Sequence, residues 1–309
     1  MSGEMSAEGA RLWITGRPVD NFRPVSARAR KMARMDRDGD QFVHCGLGHR
    51  HWGKYGAAGL LLHHGGAVLL QQRSALSLGP ETWGLFGGAR ERDEPPVTAA
   101  LREAAEESTL DVRVVRIRGL VREDHQGWAY DTVIADVESR PEVAPASWES
   151  KNARWVPADE ITEMNLFPPF AISWPKVRDA MRKPVLIVDT ANVMGSRNDG
   201  WWRDRHGAAT RLRDQIDALE GFRLPPFDVA FPELVMVVEG KARGVGDGEH
   251  IRVISADGDG DDTIVDTVRQ YADLPDADVY VVTADRELKR RSQDAGASIL
   301  GPKWLLGQL

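Results

Sequence analysis

Four short apolar segments in the second half of the chain each end in a carboxylate, and this repeated pattern limits the possible folds more than any other feature. The segments are VLIVD, VMVVE, VISAD and VVTAD, which end at Asp189, Glu239, Asp257 and Asp285. Continuous apolar runs of this length are typical of strands that are buried on both faces. Each is followed by a segment able to return as a helix, so we predict a mainly parallel α/β sheet with right-handed crossovers.

The chain has 309 residues, which is too long for one ordinary hydrophobic core and suits two domains. We predict an N-terminal extension over residues 1–50, a first domain over 51–182 and a second over 184–309. In the first domain, strand and helix patterns mix, which predicts a mixed sheet with flanking helices. The extension is expected to contain a short basic helix formed around Arg28, Arg30, Lys31, Arg34 and Arg37.

Composition and charge indicate the cellular environment in which the protein is expected to function. The single cysteine, Cys45, excludes a disulfide framework and favours a reducing cytoplasm. We see no long apolar run and no signal peptide, and we therefore expect no membrane association. All of the net charge of −7 belongs to residues 184–309, which is consistent with a bland acidic surface or with carboxylates gathered for metal. A homodimer is the prior expectation for the assembly.

The stretch GGARERDEPPVTAALREAAEE, residues 87–107, places three glutamates on one helix. Glu103, Glu106 and Glu107 fall within an arc of about 100° because helical neighbours are three and four residues apart. Three carboxylates there offer hard oxygen ligands for Mg²⁺ or Mn²⁺, and Gly87 and Gly88 let the backbone approach a ligand closely. The alternative is a solvated, glutamate-rich helix face, which is common and which charge spacing by itself favours.

The full spacing of this stretch resembles the box of the Nudix hydrolases, with support from WGLFGG at 83–88 and WVPADE at 155–160. Phe86 and Thr109 depart from the pattern, where the family usually has proline and glycine. The resemblance implies an α/β/α sandwich that hydrolyses a nucleoside diphosphate linked to another group. It also implies that Arg102 orients glutamates and that Glu94 supports the loop. By this resemblance the catalytic residues are Arg102, Glu106 and Glu107, the metal ligands are Glu103, Glu106 and Glu107, and Gly87 and Gly88 contact substrate.

A second acidic group is predicted at the carboxyl ends of the parallel strands, where such sheets bind ligands. Asp261 and Asp262 enter a helix near the strand-end residues Asp189 and Asp285. Two Mg²⁺ or Mn²⁺ ions would stabilise so many like charges and support cleavage of a phosphodiester. The alternative is that each aspartate only caps a helix, which is the simpler interpretation of Asp257 and Asp259.

The motifs VDTANV, GDDTIV and TADREL, together with the closing GASILG, resemble the NYN branch of the PIN-like ribonucleases. With the first half, they resemble an actinobacterial-type Nudix–NYN fusion. The resemblance implies RNA as a second partner and metal-dependent RNA cleavage. Asp189, Asp261 and Asp285 would then be metal ligands, Asp189 and Asp285 catalytic, Asp262 a helper of Asp261, and Asn192 a positioning group. Glu239 is a candidate by position alone.

Other candidate residues have weaker support. Trp201 and Arg203 could stack a base and meet a phosphate, although the tryptophan could equally pin its loop to the sheet. His44, Cys45, His49 and His51 suggest zinc at first glance. With one cysteine and irregular spacing, ordinary surface or core histidines are the expected interpretation.

These patterns predict a metal-dependent enzyme acting on the pyrophosphate linkage of a nucleotide derivative, with a ribonuclease domain at its C-terminus. The alternative is a nucleotide- or RNA-binding regulator in which one domain, in the first place the NYN-like one, binds without cleaving. The intact set Asp189, Asp261 and Asp285 argues against this alternative. The departures at Phe86 and Thr109 leave room for it in the first domain.

Overall fold

The computed structural model describes the backbone of residues 12–14 and 17–19 and the complete residues 38–309. The predicted basic helix at 28–37 lies outside the described residues. The chain divides into two compact units, the first ending at Ala180 and the second running from Met181 to Leu309. Among the described residues, none of the helices has both the length and the apolar character needed to span a membrane.

In its described residues, the first unit contains a mixed sheet flanked by two α-helices. The helices are α1 (Pro96–Glu107) and α2 (Pro168–Asp179). The strands in chain order are β1 (Leu12–Ile14), β2 (Arg17–Val19), β3 (Phe42–His44), β4 (Arg50–Trp52), β5 (Ala57–His64), β6 (Ala67–Arg73), β7 (Trp83–Gly84), β8 (Phe86–Ala89), β9 (Arg116–Asp124), β10 (Ala129–Asp136) and β11 (Ser150–Pro157).

Strand β5 organises this sheet. One of its edges pairs in parallel with β10, while its other edge pairs antiparallel first with β8 and then with β6. Beyond these, β11 pairs with β6 and β9 pairs with β10. A hairpin at Gly65 and Gly66 joins β5 to β6, and both glycines have positive φ angles of 53° and 71°. Glycine adopts such angles without a steric cost, so a Gly-Gly pair suits this tight turn.

Helix α1 forms where the sequence predicted it. Pro96 occupies its first turn, where the missing N–H costs nothing, and Val97, Leu101 and Ala104 turn inward and are buried. Residues Val112–Val114 form a 3₁₀ turn before β9 begins, because Asp111 accepts a hydrogen bond from the backbone N–H of Arg113 and favours a helical turn.

The second unit has a five-stranded sheet in which every pair of neighbouring strands is parallel. The order is β15–β14–β12–β16–β17, so the first strand, β12, lies at the centre. The elements are β12 (Lys183–Asp189), α3 (Thr190–Gly195), α4 (Arg205–Asp217), β13 (Val229–Ala230), β14 (Glu233–Val238), β15 (Ile251–Ser255), α5 (Gly260–Ala272), β16 (Ala277–Val282), α6 (Arg286–Asp294), β17 (Ser298–Leu300) and α7 (Pro302–Leu306).

The strand order places a crevice at the carboxyl end of β12. The chain leaves β12 towards β14 on one side and later returns to β16 on the other side. Connections that depart in opposite directions from a central strand leave a gap above its carboxyl end, and ligands bind in such gaps. Asp189, the last residue of β12, therefore stands at the position in the sheet where a ligand is expected.

The register of β5 and β8 predicts that Gly87 tolerates no side chain. Gly87 lies opposite Gly59, and a Cβ on Gly87 would come within 2.4 Å of the Ala58 carbonyl oxygen and 2.6 Å of the Gly59 Cα. Because backbone cannot rotate away, we expect Gly87→Ala to lower the free energy of unfolding by about 1–3 kcal/mol, as measured by denaturant titration. The matched control is Gly84→Ala, whose Cβ would meet only Phe167 at 3.5 Å. An equal loss in both variants would contradict the packing argument.

Candidate active sites in the two units

Arg102 is the centre of an ion-pair network on helix α1. Its Nε and Nη2 each donate to a different carboxylate oxygen of Glu94, both at 2.8 Å. Its Nη1 donates to Oε1 of Glu103 at 2.5 Å, and Nη2 also donates to the Ala89 carbonyl at 2.9 Å. Although burial disfavours the charge of Arg102, the hydrogen bonds to Glu94 and the charge of Glu103 raise its pKa. The guanidinium therefore stays charged and fixes Glu94 and Glu103 relative to β8.

Glu94 in turn shapes the loop between β8 and α1. Its carboxylate accepts a hydrogen bond from the Glu91 backbone N–H at 2.9 Å, and its carbonyl accepts two from the Arg90 side chain at 2.9 and 2.6 Å. This supports a loop-stabilising position for Glu94, as the family resemblance implied. Glu106 lies at the edge of the same network, with Oε2 at 3.8 Å from Nη1 of Arg102.

Glu107 is the most deeply buried carboxylate of this group, with 3% of its surface exposed. Its Oε2 accepts hydrogen bonds from the Gly87 backbone N–H at 3.2 Å and from the Gln71 side chain at 3.0 Å. Burial, reinforced by the like charges of Glu103 and Glu149, raises the pKa of Glu107 to about 8. A cation beside this side chain would stabilise its ionised form.

Gly88 and Glu103 fit together closely. A Cβ on Gly88 would lie 2.7 Å from Cδ of Glu103 and 2.8 Å from its Oε1. The absent side chain therefore leaves room for the carboxylate against the backbone of β8. Glu103, Glu107 and both glycines line one cavity of about 420 Å³.

Other residues that line this cavity are aromatic or apolar. They come from β3 and β4 and from two loops, and the large residues among them are partly or largely exposed to solvent. Carboxylates that can hold a cation, together with exposed rings, suit a ligand that is both anionic and flat. The residues are Phe42, Trp52, Leu76, Leu78 and Trp148, with Asp40, Arg73 and Glu149 among the charged groups of the lining.

The sequence patterns missed Gln71, Glu149 and Trp52 as members of this site. Gln71 is 1% exposed and directly follows the apolar residues 67–70 of β6, and this polar residue at the end of an apolar run was a readable signal. Its side chain donates to Glu107 and to the Leu85 carbonyl and accepts from Ser150. Glu149 and Trp52 gave no such signal, because they reach the cavity only through the packing of distant segments.

The two departures from the family pattern are accommodated locally. Phe86 is 1% exposed and pairs with Leu60 across β8 and β5, so it serves as a core residue. Thr109 donates from its backbone N–H to the Ala144 carbonyl, and its hydroxyl accepts from the Ala144 N–H, both at 2.9 Å. Thr109 does not adopt a positive φ angle, so no glycine is required there. Neither departure displaces a glutamate.

The second candidate site begins at Asp189. One carboxylate oxygen accepts from the Asn192 backbone N–H at 3.0 Å and caps α3, while the other accepts from the Thr283 hydroxyl at 2.8 Å. The Asn192 side chain accepts from the Ala284 N–H at 2.8 Å. These bonds join β12 and α3 to the end of β16. Burial, with Glu239 and Asp285 nearby, raises the pKa of Asp189 against the opposing effect of its hydrogen bonds.

Four acidic residues line one cavity of about 470 Å³ in the second unit: Asp189, Glu239, Asp261 and Asp285. Burial and the neighbouring charges of Asp189, Asp259 and Asp285 raise the pKa of Asp261 to about 6. Asp285 also caps α6 by accepting from the Leu288 N–H at 2.8 Å, and Glu239 accepts from the Gly260 N–H at 2.9 Å. Helix capping and site formation are therefore compatible at the same aspartate.

The remaining predicted residues separate into two groups. Asn192 and Trp201 line this cavity, with the Arg205 guanidinium 5.3 Å from the centre of the Trp201 ring. Asp262 and Arg203 are not among the lining residues. Asp262 forms an ion pair with Arg291 instead, because the helix turns it about 100° away from Asp261. Asp259 caps α5 by accepting from the Asp261 N–H at 2.9 Å, as the simpler interpretation predicted.

Both acidic sets have the donor chemistry that magnesium or manganese requires, since carboxylate oxygens are their preferred protein ligands. In the first unit Glu103, Glu106 and Glu107 would hold such ions, and in the second Asp189, Asp261 and Asp285 would. Across residues 38–309, the one group of three or more ligand side chains already compact enough for an ion is a different one, around Cys45. The carboxylates of either set would therefore have to move closer together to share a cation.

Known proteins resemble this chain in a region that includes the first candidate site. A family model described as the NUDIX domain matches residues 54–174. The chain is 40% identical over 154 residues to "Putative 8-oxo-dGTP diphosphatase 3" of Mycobacterium tuberculosis, a match that covers 46% of this chain and 70% of the relative. It is 32% identical over 193 residues to a "Nucleoside triphosphate pyrophosphatase/Nudix hydrolase fusion protein" of Bifidobacterium longum, covering 57% of this chain and 40% of the relative.

Among solved structures, a Nudix hydrolase from M. smegmatis shares 39% identity with a TM-score of 0.43, and the match covers 46% of this chain and 94% of that one. Enzymes of this family generally use divalent metals such as Mg²⁺ or Mn²⁺. The glutamate helix and the glycine strand beside it agree with the family model and with the M. tuberculosis relative. The chain belongs to the Nudix family of pyrophosphohydrolases.

Proposed function

We propose that the first unit hydrolyses a nucleoside 5′-triphosphate to the nucleoside monophosphate and pyrophosphate. One observation carries the proposal: the cavity that contains Glu103 and Glu107 is also lined by Phe42 and Trp52. The triphosphate would lie against the glutamates and the base against the rings. The 420 Å³ volume of the cavity is within the range of small-molecule sites.

In such a reaction, the residues of this site would have different roles. Bound Mg²⁺ or Mn²⁺ would neutralise the phosphate charge and make water a better nucleophile. Arg102 keeps Glu103 and Glu94 in place, and the N–H of Gly87 with the amide of Gln71 keeps Glu107 in place. Water oxygen bonds to a phosphorus of the anhydride, the bridging P–O bond breaks, and pyrophosphate leaves.

The substrate is proposed to carry an oxidised purine. The name of the M. tuberculosis relative refers to 8-oxo-dGTP, and that relative matches this chain over most of its own length. The exposed rings of Phe42 and Trp52 lie 4.9 Å apart, edge to face, and present apolar surface to the cavity. Such a surface binds a purine base through its face. Nucleotide panels that include 8-oxo-dGTP and dGTP therefore test this proposal first.

We propose a second activity, metal-dependent cleavage of RNA, for residues 184–309 as an NYN-like, PIN-like domain. The supporting observation is that Asp189, Asp261 and Asp285 line one cavity at the carboxyl ends of a parallel sheet. Trp201 in the wall of this cavity could stack a base. The cytoplasmic setting and the homodimer remain predictions, which rest on the single cysteine and on the prior frequency of dimers.

Neutralising two glutamates should abolish the first activity. For Glu106→Gln combined with Glu107→Gln, we expect pyrophosphate release to fall at least about 100-fold, because the oxygen charge that holds the cation is lost. The stabilisation of the wild-type protein by Mg²⁺, measured as a rise in melting temperature, should disappear as well. Exposed Glu163→Gln is the matched control. Persistent pyrophosphate release from the pure double variant would contradict the assignment.

Removing the Trp52 ring should weaken nucleotide binding more than it slows the hydrolysis step. For Trp52→Ala we expect KM for the best purine nucleotide to rise about tenfold with little change in kcat, since base stacking contributes about 1–3 kcal/mol. Steady-state kinetics measure both constants. The control is Ile172→Ala, an exposed apolar residue of α2 that does not line the cavity. An unchanged KM would exclude Trp52 from the base site.

The two adjacent aspartates of α5 should differ in their effect on RNA cutting. We expect Asp189→Asn and Asp261→Asn to reduce cleavage of labelled RNA at least about 100-fold, because both oxygens face the cavity. Asparagine still caps a helix, so Asp189→Asn should remain folded. Asp262→Asn, next to Asp261 but paired with Arg291, should cut at close to the wild-type rate. If Asp189→Asn also cuts at that rate, the site is not catalytic.

A further inference from the structure

Two turns of the first unit contact each other, and neither turn belongs to the glutamate helix α1. One joins β3 to β4, and the other joins β9 to β10. The Gly46 N–H donates to the Gln126 carbonyl at 2.7 Å, and the Trp128 indole N–H donates to the Gly53 carbonyl at 2.7 Å. A Cβ on Gly46 would lie 2.7 Å from Cβ of Gln126, so the approach of the two turns requires glycine at this position.

Four side chains with metal-binding atoms converge where these turns meet. They are Cys45, His49 and His51 from the first turn and strand β4, and His125 from the second turn. The cysteine sulfur and one ring nitrogen of each histidine all lie within 4.8 Å of one another. In a tetrahedral zinc site the ligand atoms are about 3.3–3.7 Å apart, given bond lengths of about 2.0–2.3 Å. A shift of about 1 Å in these side chains is enough to reach that geometry.

His49 is exposed, whereas Cys45 is buried and His51 and His125 are partly buried. Nε2 of His51 and Nδ1 of His125 are buried and have no hydrogen-bond partner. Buried polar atoms of native proteins are nearly always satisfied, so two orphans in one cluster need an explanation. Cys45 is buried and free, and the His51 ring stacks on Trp128 with 3.9 Å between ring centres.

We propose that Cys45, His49, His51 and His125 bind one structural Zn²⁺ ion. A thiolate with three imidazoles is the soft and borderline donor set that selects zinc over magnesium or manganese. Four protein ligands complete the tetrahedral shell and leave no open position for substrate, so the role of the ion is structural and not catalytic. This departs from the expectation of ordinary histidines, which rested on the single cysteine and the irregular spacing. That expectation did not include His125, which lies 74 positions beyond His51. His44 is exposed and is not a member of the cluster.

The metal-ligand cluster and the proposed substrate cavity share the β3–β4 hairpin. Val43 pairs with His51, and Phe42 pairs with Trp52, across the β3–β4 hairpin. Successive residues of a strand point to opposite faces, so His51 faces the cluster while Trp52 faces the cavity. The zinc ion therefore clamps the hairpin to the β9–β10 turn and holds in place the wall formed by Phe42 and Trp52.

The test uses the full chain, without a histidine tag, purified in the absence of chelators. We expect mass-spectrometric metal analysis to find about one zinc per chain. The cobalt-substituted protein should show tetrahedral d–d absorption and a thiolate-to-cobalt charge-transfer band. Cys45→Ser should remove the charge-transfer band, and Cys45→Ser and His125→Ala should each weaken zinc binding at least about tenfold. Stripping the wild-type chain of zinc should lower its melting temperature.

His44→Ala is the matched control and should bind zinc and cobalt as the wild-type chain does. The cobalt spectrum of the wild-type chain needs no variant, so it decides the question even if Cys45→Ser or His125→Ala fails to fold. A wild-type chain that binds neither zinc nor cobalt overturns the proposal. So does a chain that binds cobalt without a thiolate band, or one whose affinity falls equally in His44→Ala, because the ion then lies elsewhere.

Discussion

The burial of carboxylates is the constraint on which the structure around both candidate sites depends. An ionised carboxylate loses its hydration when buried, so it must gain hydrogen bonds, a positive partner or a proton. In the first unit Arg102 neutralises Glu94 and Glu103, while Glu107 has only neutral donors and an elevated pKa of about 8. The partial compensation leaves an excess of negative charge beside the cavity, which a divalent cation would balance.

The second unit meets the same constraint with backbone donors. Asp189 and Asp285 each accept an N–H from the first turn of the helix that follows them. A helix N-terminus carries partial positive charge, so it stabilises the aspartates while their side chains still line the cavity. The carboxylates of Asp189 and Asp285 are thus held by backbone N–H groups, which carry no full charge. An arginine at these positions would compete with a metal ion.

In the first unit, the residues proposed for chemistry and those proposed for base recognition belong to separate parts of the fold. The glutamates stand on a helix packed against the central strand β5, whereas Phe42 and Trp52 stand on a small hairpin. A three-residue pair of strands buries little apolar surface and is marginal by itself. A bound zinc ion would compensate for that weakness, since metal binding to a preformed site contributes directly to folding.

The sequence determined the elements and the residues of the local motifs. Helix α1, the Gly65–Gly66 hairpin and the parallel strands of the second unit follow from periodicity and turn chemistry, which act between near neighbours. Only the tertiary structure decided what meets across long separations. It brought His125 to Cys45, Gln71 to Glu107 and Trp52 to the glutamates, and it separated Asp262 from Asp261. Such contacts depend on how whole elements pack, and residue spacing holds no record of that packing.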